Sequence, residues 1–192
     1  DANADEYNSQ DAAIDAFLDE ALDMDALDHR IELGTRFLEN VVTMSDFPVE
    51  KIEQTVREMR KIGLGIMGLA QLYIQLGVEY GSPEANEIAR QVMRHINHGS
   101  KKASRELAED RGVFDEWDNS KYANPTEYRE WFEHHTGLDA DDWADGFPLR
   151  NHNTTTIAPT RTTSMIGNTP GGCEPVYHVA YYTNVPDDGQ GD

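Results

Sequence analysis

The sequence predicts part of an α/β protein, in which a long helical block is followed by a strand, a loop and a second strand. Apolar residues recur at helical spacing through most of the first 140 residues. Residues 151–158 are then rich in β-branched side chains, residues 159–174 are rich in Pro, Thr, Ser and Gly, and residues 175–182 alternate as a strand does. Because two strands alone do not make a stable sheet, the pattern favours a segment of a larger α/β protein.

The helical block divides into several elements. The apolar pattern predicts amphipathic helices over residues 11–28 and 30–44, and another that starts near Ile52, after the interruption at Pro48. Residues 63–77 are apolar on nearly every side, which predicts a helix enclosed by other structure.

The clearest helix start lies at Ser82, which can cap a helix whose first position is Pro83. The apolar face that follows ends at Gly112. A shorter helix is predicted to end near Gly137, and residues 139–150 are predicted to form a loop or a short acidic turn.

The charge of the chain limits its partners. Its 192 residues include 36 Asp and Glu against 16 Lys and Arg, for a formal net charge of −20. This charge argues against nucleic acid and against an anionic membrane surface, since both attract basic proteins. Disorder and calcium binding are weaker explanations of the charge, because the apolar periodicity is strong and no calcium-loop motif occurs. We favour adaptation to high salt, where screening reduces repulsion between carboxylates.

Other features favour a cytoplasmic protein. A single cysteine excludes an internal disulfide framework and favours a reducing compartment. No apolar run has transmembrane length, and the first ten residues lack the basic and apolar regions of a signal peptide.

Three glycines, Gly63, Gly65 and Gly68, match the G-x-G-x-x-G pattern of dinucleotide-binding proteins. That pattern should follow a buried strand, whereas the residues before Gly63 are polar with helical spacing. Close packing of a helix is therefore the preferred interpretation of the glycines.

Two further candidates are weak by themselves. His95 and His98 are three residues apart and could present two metal ligands, but no third ligand lies near them in the sequence, so solvated histidines are favoured. Cys173 could be a nucleophile with His178 as its base, but a lone cysteine is more often a small buried apolar residue.

The richest stretch is NTTTIAPTRTTSMIGNTPGGCEP, residues 153–175, in which an extended segment leads into a hydroxyl-rich turn. If a helix begins at this turn, its free backbone N–H groups and hydroxyls would converge on one point, as in a phosphate site. A plain threonine-rich helix cap explains the pattern equally well.

Three stretches resemble the catalytic (α) subunit of ribonucleotide reductase. They are RFLENVV (36–42), RKIGLGIMGLAQLYIQLGVEYGSPEA (60–85) and RNHNTTTIAPTRTTSMIGNTPGGCEPVYHVAYY (150–182). The similarity extends over residues 25–185. The GGCEPVYHVAYY form is most similar to the adenosylcobalamin-dependent (class II) enzymes.

The resemblance implies that the chain is a C-terminal segment of a ten-stranded α/β barrel. Within this segment, residues 1–148 are expected to be mainly helical. Residues 149–185 would supply the phosphate loop and barrel strands, and residues 186–192 a polar tail.

The resemblance also implies a substrate-phosphate site at a loop and helix N-terminus, which corresponds here to Pro159, Thr160, Arg161, Thr162, Thr163 and Ser164. The position of this site agrees with the anion site considered above. The family usually has glycine where this chain has Arg161. The arginine could add a charge-assisted contact to a phosphate or could block the site.

The radical chemistry of the family uses three thiols, and this chain has one. The family's Asn-Pro-Cys-Gly-Glu stretch is absent, and Cys173 lies in the Gly-Gly-x-Glu-Pro turn rather than at the radical position. We therefore assign no catalytic residue and no metal ligand, and we expect the segment alone to be inactive.

The whole enzyme implied by the resemblance reduces ribonucleotides to deoxyribonucleotides for DNA synthesis, with adenosylcobalamin as a cofactor that this segment does not bind alone. Its expected partners are the ribonucleotide substrate and the remainder of the reductase chain, and the full enzyme could form a homodimer. Two alternatives stay open: a non-catalytic nucleotide- or phosphate-binding module with a reductase-like fold fragment, and an acidic helical interaction protein without a ligand.

Overall fold

A computed structural model describes residues 9–176, whose regular structure is helical. Within this range the α-helices are α1 (Gln10–Ala21), α2 (Met24–Met44), α3 (Glu50–Met59), α4 (Leu69–Leu76), α5 (Pro83–Arg111), α6 (Arg129–Thr136) and α7 (Arg161–Ile166). Short 3₁₀ turns lie at Trp117–Asn119, Lys121–Ala123 and Ala140–Trp143. None of the helices described between residues 9 and 176 is long and apolar enough to cross a membrane.

The longest helix, α5, has the boundaries that its sequence predicts. The Ser82 side chain accepts a hydrogen bond from the Ala85 N–H at 3.1 Å, Pro83 is the first helical residue, and Gly112 follows the last. Helix α5 contacts α1, α2 and α6, so these three helices are arranged around it. The cap and proline signals were therefore sufficient to place this central helix.

The predicted helix over residues 11–28 is instead two helices, α1 and the start of α2. The Asp23 side chain accepts a hydrogen bond from the Ala26 N–H at 2.9 Å and caps α2. Because Asp is among the best N-cap residues, the chain starts a new helix there rather than continuing the first.

The predicted helix over residues 63–77 is wrong in its first half. Helix α4 begins only after Gly68, which has a left-handed φ of 81°. Three glycines between positions 63 and 68 oppose helix formation, since each costs about 1 kcal/mol relative to alanine. Residues 62–64 pair instead with the extended segment at 153–156.

The α/β prediction, as a fragment of a ten-stranded barrel, is wrong for the described residues, which form no sheet. Their β pairing is one isolated parallel bridge between Leu64 and Thr155. The first predicted strand, residues 151–158, therefore has one short partner segment, and a stable sheet needs further strands. Most of the second predicted strand, residues 177–182, lies outside the described residues.

Two separate apolar clusters form the core. The first lies between α1, α4 and α5 and contains Ile14, Leu18, Leu69, Tyr73, Ala85 and Ile88. The second, which we call the aromatic cluster, surrounds the 3₁₀ turns and α6 and contains Phe114, Tyr122, Phe132, Ala140, Phe147 and Leu149. The first cluster includes Ala85 and Ile88 of α5, and helix α6, which carries Phe132 of the second cluster, contacts α5. Helix α5 is therefore a common support for both clusters.

A buried charged cluster, which we call the Glu39 cluster, joins three distant parts of the sequence. The fully buried Glu39 carboxylate accepts hydrogen bonds from Arg60 Nε (3.0 Å) and Nη2 (2.5 Å) and from Arg150 Nε (2.8 Å). Asn151 Nδ2 donates to the same carboxylate at 2.6 Å. The cluster thus fixes α2, the end of α3 and the start of the extended segment relative to one another.

Candidate functional site

The segment that leads to the predicted phosphate site is held on α5 by two buried serines. Ser104 Oγ donates to Asn151 Oδ1 at 2.9 Å, and Ser100 Oγ donates to Thr154 Oγ1 at 2.8 Å. The two serines are four residues apart and so share one face of the helix. This face sets the path of the chain toward residue 159.

The same segment pairs with residues 62–64. Backbone N–H groups of Ile62 and Leu64 donate to the carbonyls of Asn153 and Thr154 at 2.9 and 2.8 Å. The Thr156 N–H then donates to the Leu64 carbonyl at 3.0 Å. These bonds position the residues immediately before the loop.

The glycines of the G-x-G-x-x-G pattern allow the pairing of residues 62–64 with residues 153–156. A Cβ atom at Gly65 would lie 2.5 Å from the Thr156 carbonyl oxygen, and one at Gly63 would lie 2.5 Å from Thr156 Cγ2. A Cβ atom at Gly68 would likewise clash with the Thr169 side chain, and the Gly68 N–H donates to the Pro170 carbonyl at 2.9 Å. The glycines therefore permit close packing, as preferred from the sequence, but against an extended segment and a turn rather than a helix.

The loop closes on itself at Thr160. This residue has a left-handed φ of 48° and precedes α7, and its Oγ1 accepts a hydrogen bond from the Gly172 N–H at 2.8 Å. A Cβ atom at Gly171 would lie 2.8 Å from the Pro159 carbonyl oxygen. The 171–172 turn therefore packs directly under the start of α7.

A helix does begin at the hydroxyl-rich turn. Its first helical hydrogen bond joins the Ser164 N–H to the Thr160 carbonyl at 2.8 Å. The N–H groups of Arg161, Thr162 and Thr163 precede this bond, and no side chain caps the helix. Three backbone donors therefore point out of the exposed end of α7.

The structure places the six predicted phosphate-site residues in two groups. Pro159, Arg161, Thr162 and Thr163 are exposed, and Thr160 is half-buried. The Ser164 side chain is buried and its Oγ donates to the Arg161 carbonyl at 3.0 Å, so its hydroxyl supports the turn from inside. No carboxylate among residues 9–176 lies within 4 Å of the Arg161 guanidinium.

Large apolar side chains are exposed around this loop. Ile157, Met165 and Ile166 are 47%, 73% and 82% exposed. Their exposure beside a group of backbone donors and threonine hydroxyls makes this surface the best candidate site on the described part of the chain.

The other sequence candidates have structural explanations. His95 Nε2 lies 2.6 Å from Asp28 Oδ1, and His98 Nε2 lies 3.3 Å from the His134 carbonyl oxygen. Among residues 9–176, no group of three or more His, Cys, Asp or Glu side chains is arranged to hold a metal ion.

Cys173 is half-buried and packs against the apolar cluster between α1, α4 and α5. The Tyr80 hydroxyl donates to its carbonyl oxygen at 2.8 Å. His178, the base considered for it, lies outside the described residues. The position of Cys173 agrees with the interpretation of a small buried apolar residue.

Sequence reasoning missed two supporting residues of the loop. The Gln71 side chain on α4 accepts a hydrogen bond from Thr169 Oγ1 at 2.7 Å, and Gly172 holds Thr160 as described. Of these two, only Gly172 could have been found from the sequence, since Gly171 and Gly172 are consecutive and two consecutive glycines mark a turn. Gln71 is contributed by a helix almost one hundred residues earlier, so no local pattern indicates it.

Comparison with known proteins agrees with the resemblance. The family model for the ribonucleotide reductase barrel domain matches residues 11–190. The vitamin B12-dependent ribonucleoside-diphosphate reductase of Thermoplasma acidophilum is 41% identical over 164 residues, which cover 85% of this chain and 19% of that protein. The protein of the same name from Mycobacterium tuberculosis is 36% identical over 163 residues, covering 85% of this chain and 20% of that protein.

A more distant relative is the ribonucleoside-diphosphate reductase subunit alpha of Chlamydia pneumoniae, which is 29% identical over 182 residues, or 85% of this chain and 17% of that protein. The chain thus spans about a fifth of the length of these two vitamin B12-dependent relatives. Because the family model covers nearly all of the sequence, the chain belongs to the ribonucleotide reductase barrel-domain family.

Proposed function

We propose that this chain is a segment of a vitamin B12-dependent ribonucleoside-diphosphate reductase that converts ribonucleotides to deoxyribonucleotides. The observation that carries this proposal is the 41% identity to a reductase of that name over 85% of the chain. Partners in this function are the ribonucleotide substrate and the remainder of the reductase chain, and the complete enzyme could be a homodimer. The net charge of −20 supports a salt-adapted protein without a nucleic-acid or membrane partner, and the single cysteine supports a cytoplasmic one.

Within such an enzyme, we assign the binding of the substrate phosphates to residues 159–164. Three N–H groups at the exposed start of α7 offer hydrogen bonds, and the exposed hydroxyls of Thr162 and Thr163 add to them. The Arg161 guanidinium has no carboxylate partner within the described residues and is a suitable charge for a phosphate.

Adenosylcobalamin does not fit the described residues by themselves. A cofactor that starts radical chemistry needs a thiol near its reactive atom, and the single thiol of the chain, Cys173, is packed against apolar side chains. We therefore assign the cofactor, which would supply the radical, to the remainder of the reductase chain. The described residues orient and hold the substrate.

The contribution of the loop is tested in a chimeric reductase, in which this chain replaces the matching segment of the Thermoplasma acidophilum enzyme. Thr162→Val is expected to raise the KM for the ribonucleotide about tenfold with little change in kcat, because a hydrogen bond to a charged phosphate is worth about 1.5–3 kcal/mol. Thr55→Val, on exposed α3, is the matched control and should leave KM unchanged. Equal KM values for both variants would contradict the phosphate assignment.

The chimera also decides the role of Arg161. If the guanidinium contacts a phosphate, Arg161→Gly raises KM. If it obstructs the site, the same substitution lowers KM.

The isolated 192-residue chain is expected to form no deoxyribonucleotide when it is incubated with adenosylcobalamin, a dithiol and ribonucleoside di- or triphosphates. The reason is that reduction requires three thiols and the chain holds one. Chromatography of the nucleotide products measures this directly, with the chimera as the positive control. Product formed by the isolated chain would refute the expectation. Nucleotide binding without activity in either protein would favour the non-catalytic module.

A further inference from the structure

An open groove of about 1730 Å³ lies on α5, between α2 and α6, and none of residues 159–164 lines it. We call it the α5–α6 groove. Five of the seven histidines of the chain line it, although the chain as a whole is strongly acidic. They are His29, His95, His98, His134 and His135.

Lys101 lines this groove, and its ammonium has no counterion among the residues that the structure describes. The residue is only 4% exposed, and its Nζ lies 5.4 Å from the ring centroid of Tyr122. Among residues 9–176, no carboxylate lies within 4 Å of this ammonium and no acceptor is hydrogen-bonded to it. Burial lowers the pKa of Lys101 to about 8, so the ammonium form still dominates at pH 7. A buried and unpaired charge is costly, and binding an anion would reduce that cost.

Two imidazoles line the groove together with Lys101: His98 lies one turn before it on α5, and His135 lies on α6. Burial, followed by repulsion from neighbouring cations that include Lys101, lowers the pKa of both His98 and His135. His135 Nδ1 lies 2.7 Å from the Trp131 carbonyl oxygen, and its ring stacks on Trp131, which leaves Nε2 for another partner. Because Nδ1 of His135 faces a carbonyl oxygen, it carries the ring proton, and Nε2 can donate to an anion only in the imidazolium form. A bound anion would favour that form and so raise the pKa of the imidazoles beside it.

The acidic side chains that line the groove are partly engaged elsewhere or lie on other elements. Glu133 on α6 accepts hydrogen bonds from Arg129 and from the Ala140 N–H, and Asp28 on α2 is paired with His95. The rest lie on α1 (Asp15, Asp19), on α2 (Glu32) and one turn beyond Lys101 on α5 (Glu106). Four of the six acidic side chains thus lie on α1 and α2, and the part of the groove between α5 and α6 is its less acidic part.

We propose that the α5–α6 groove binds a small oxyanion of the phosphate class, held by the Lys101 ammonium with His98 and His135 beside it. The site is separate from the loop at 159–164 and does not depend on the reductase assignment. Its ligand contacts a buried ammonium, whereas the loop offers backbone N–H groups and threonine hydroxyls.

Titration of the chain with inorganic phosphate tests the site, with chloride adjusted to keep the ionic strength constant. The imidazole NMR signals of His98 and His135 should shift with a saturable dependence on phosphate, and the melting temperature should rise with phosphate concentration. If chloride alone produces the same shifts, or if no shift occurs with phosphate, the proposal is wrong.

Lys101→Met keeps the length of the apolar stem and removes the charge, so it should weaken phosphate binding at least about tenfold, equivalent to about 1.4 kcal/mol. Lys51→Met removes an equal charge from an exposed position on α3 that does not line the groove, and it should change the affinity less than about twofold. Equal losses in the two variants would indicate only a long-range charge effect and would overturn the site.

Two further variants complete the test. If Lys101→Met does not fold, phosphate binding is measured with His135→Gln instead. This substitution removes one imidazole of the site and should also weaken phosphate binding. Thr162→Val should leave phosphate binding in the groove unchanged. If it abolishes the shifts of His98 and His135, the phosphate binds at the loop instead and the groove proposal fails.

Discussion

Replacing Glu39 with glutamine is expected to lower the free energy of unfolding by about 3–5 kcal/mol, because it leaves buried cations without their counterion. The carboxylate is fully buried and accepts hydrogen bonds from Arg60, Arg150 and Asn151. All three partners are donors, so the NH₂ group of a glutamine would face another donor.

Urea unfolding followed by circular dichroism measures the loss, with Glu32→Gln as the matched control. Glu32 lies on the same helix, and its side chain is exposed with an Arg36 nitrogen 4.0 Å away, so its substitution should cost less than about 0.5 kcal/mol. Similar stabilities for the two variants would show that the Glu39 cluster does not stabilise the fold.

The second large effect is expected at Gly65, where substitution by alanine should destabilise the chain by about 1–3 kcal/mol. The new Cβ would lie 2.5 Å from the Thr156 carbonyl oxygen, a backbone atom that cannot rotate away. Its displacement would strain the hydrogen bonds between residues 62–64 and 153–156. Because this pairing positions the loop at 159–164, the chimeric reductase should also lose affinity for its ribonucleotide.

Gly167→Ala is the control for this substitution. Gly167 has a φ of −75°, and a Cβ there would be no closer than 3.5 Å to its neighbours. Its replacement should be neutral or slightly stabilising, since alanine restricts the unfolded chain. A Gly65→Ala variant as stable as Gly167→Ala would mean that residues 62–64 can move away from residues 153–156 without a loss of stability.

Local signals predicted local structure. Ser82, Pro83 and Gly112 placed both ends of α5, because caps and first-turn proline depend on residues within one turn. The hydroxyl-rich turn was likewise correct as the start of a helix, which begins at Arg161. Its role in phosphate binding remains a prediction.

Patterns that depend on distant partners were misjudged. Residues 63–68 are apolar enough for a buried helix, but Gly63 and Gly65 pack against Thr156, some ninety residues away. The strand prediction for 151–158 located an extended segment correctly, yet the described residues provide only one short partner segment for it. They therefore form no sheet, and the predicted α/β class was wrong for them.

By itself, the sequence determined the family, the central helix and the position of the loop, because motifs and caps are encoded by neighbouring residues. Only the tertiary structure showed that Glu39 is the buried partner of two arginines, that Gly63 and Gly65 face Thr156, and that Lys101 is buried in a groove without a counterion among the described residues. Each of these depends on burial and on contacts between segments far apart in the chain, and a one-dimensional pattern records neither of them.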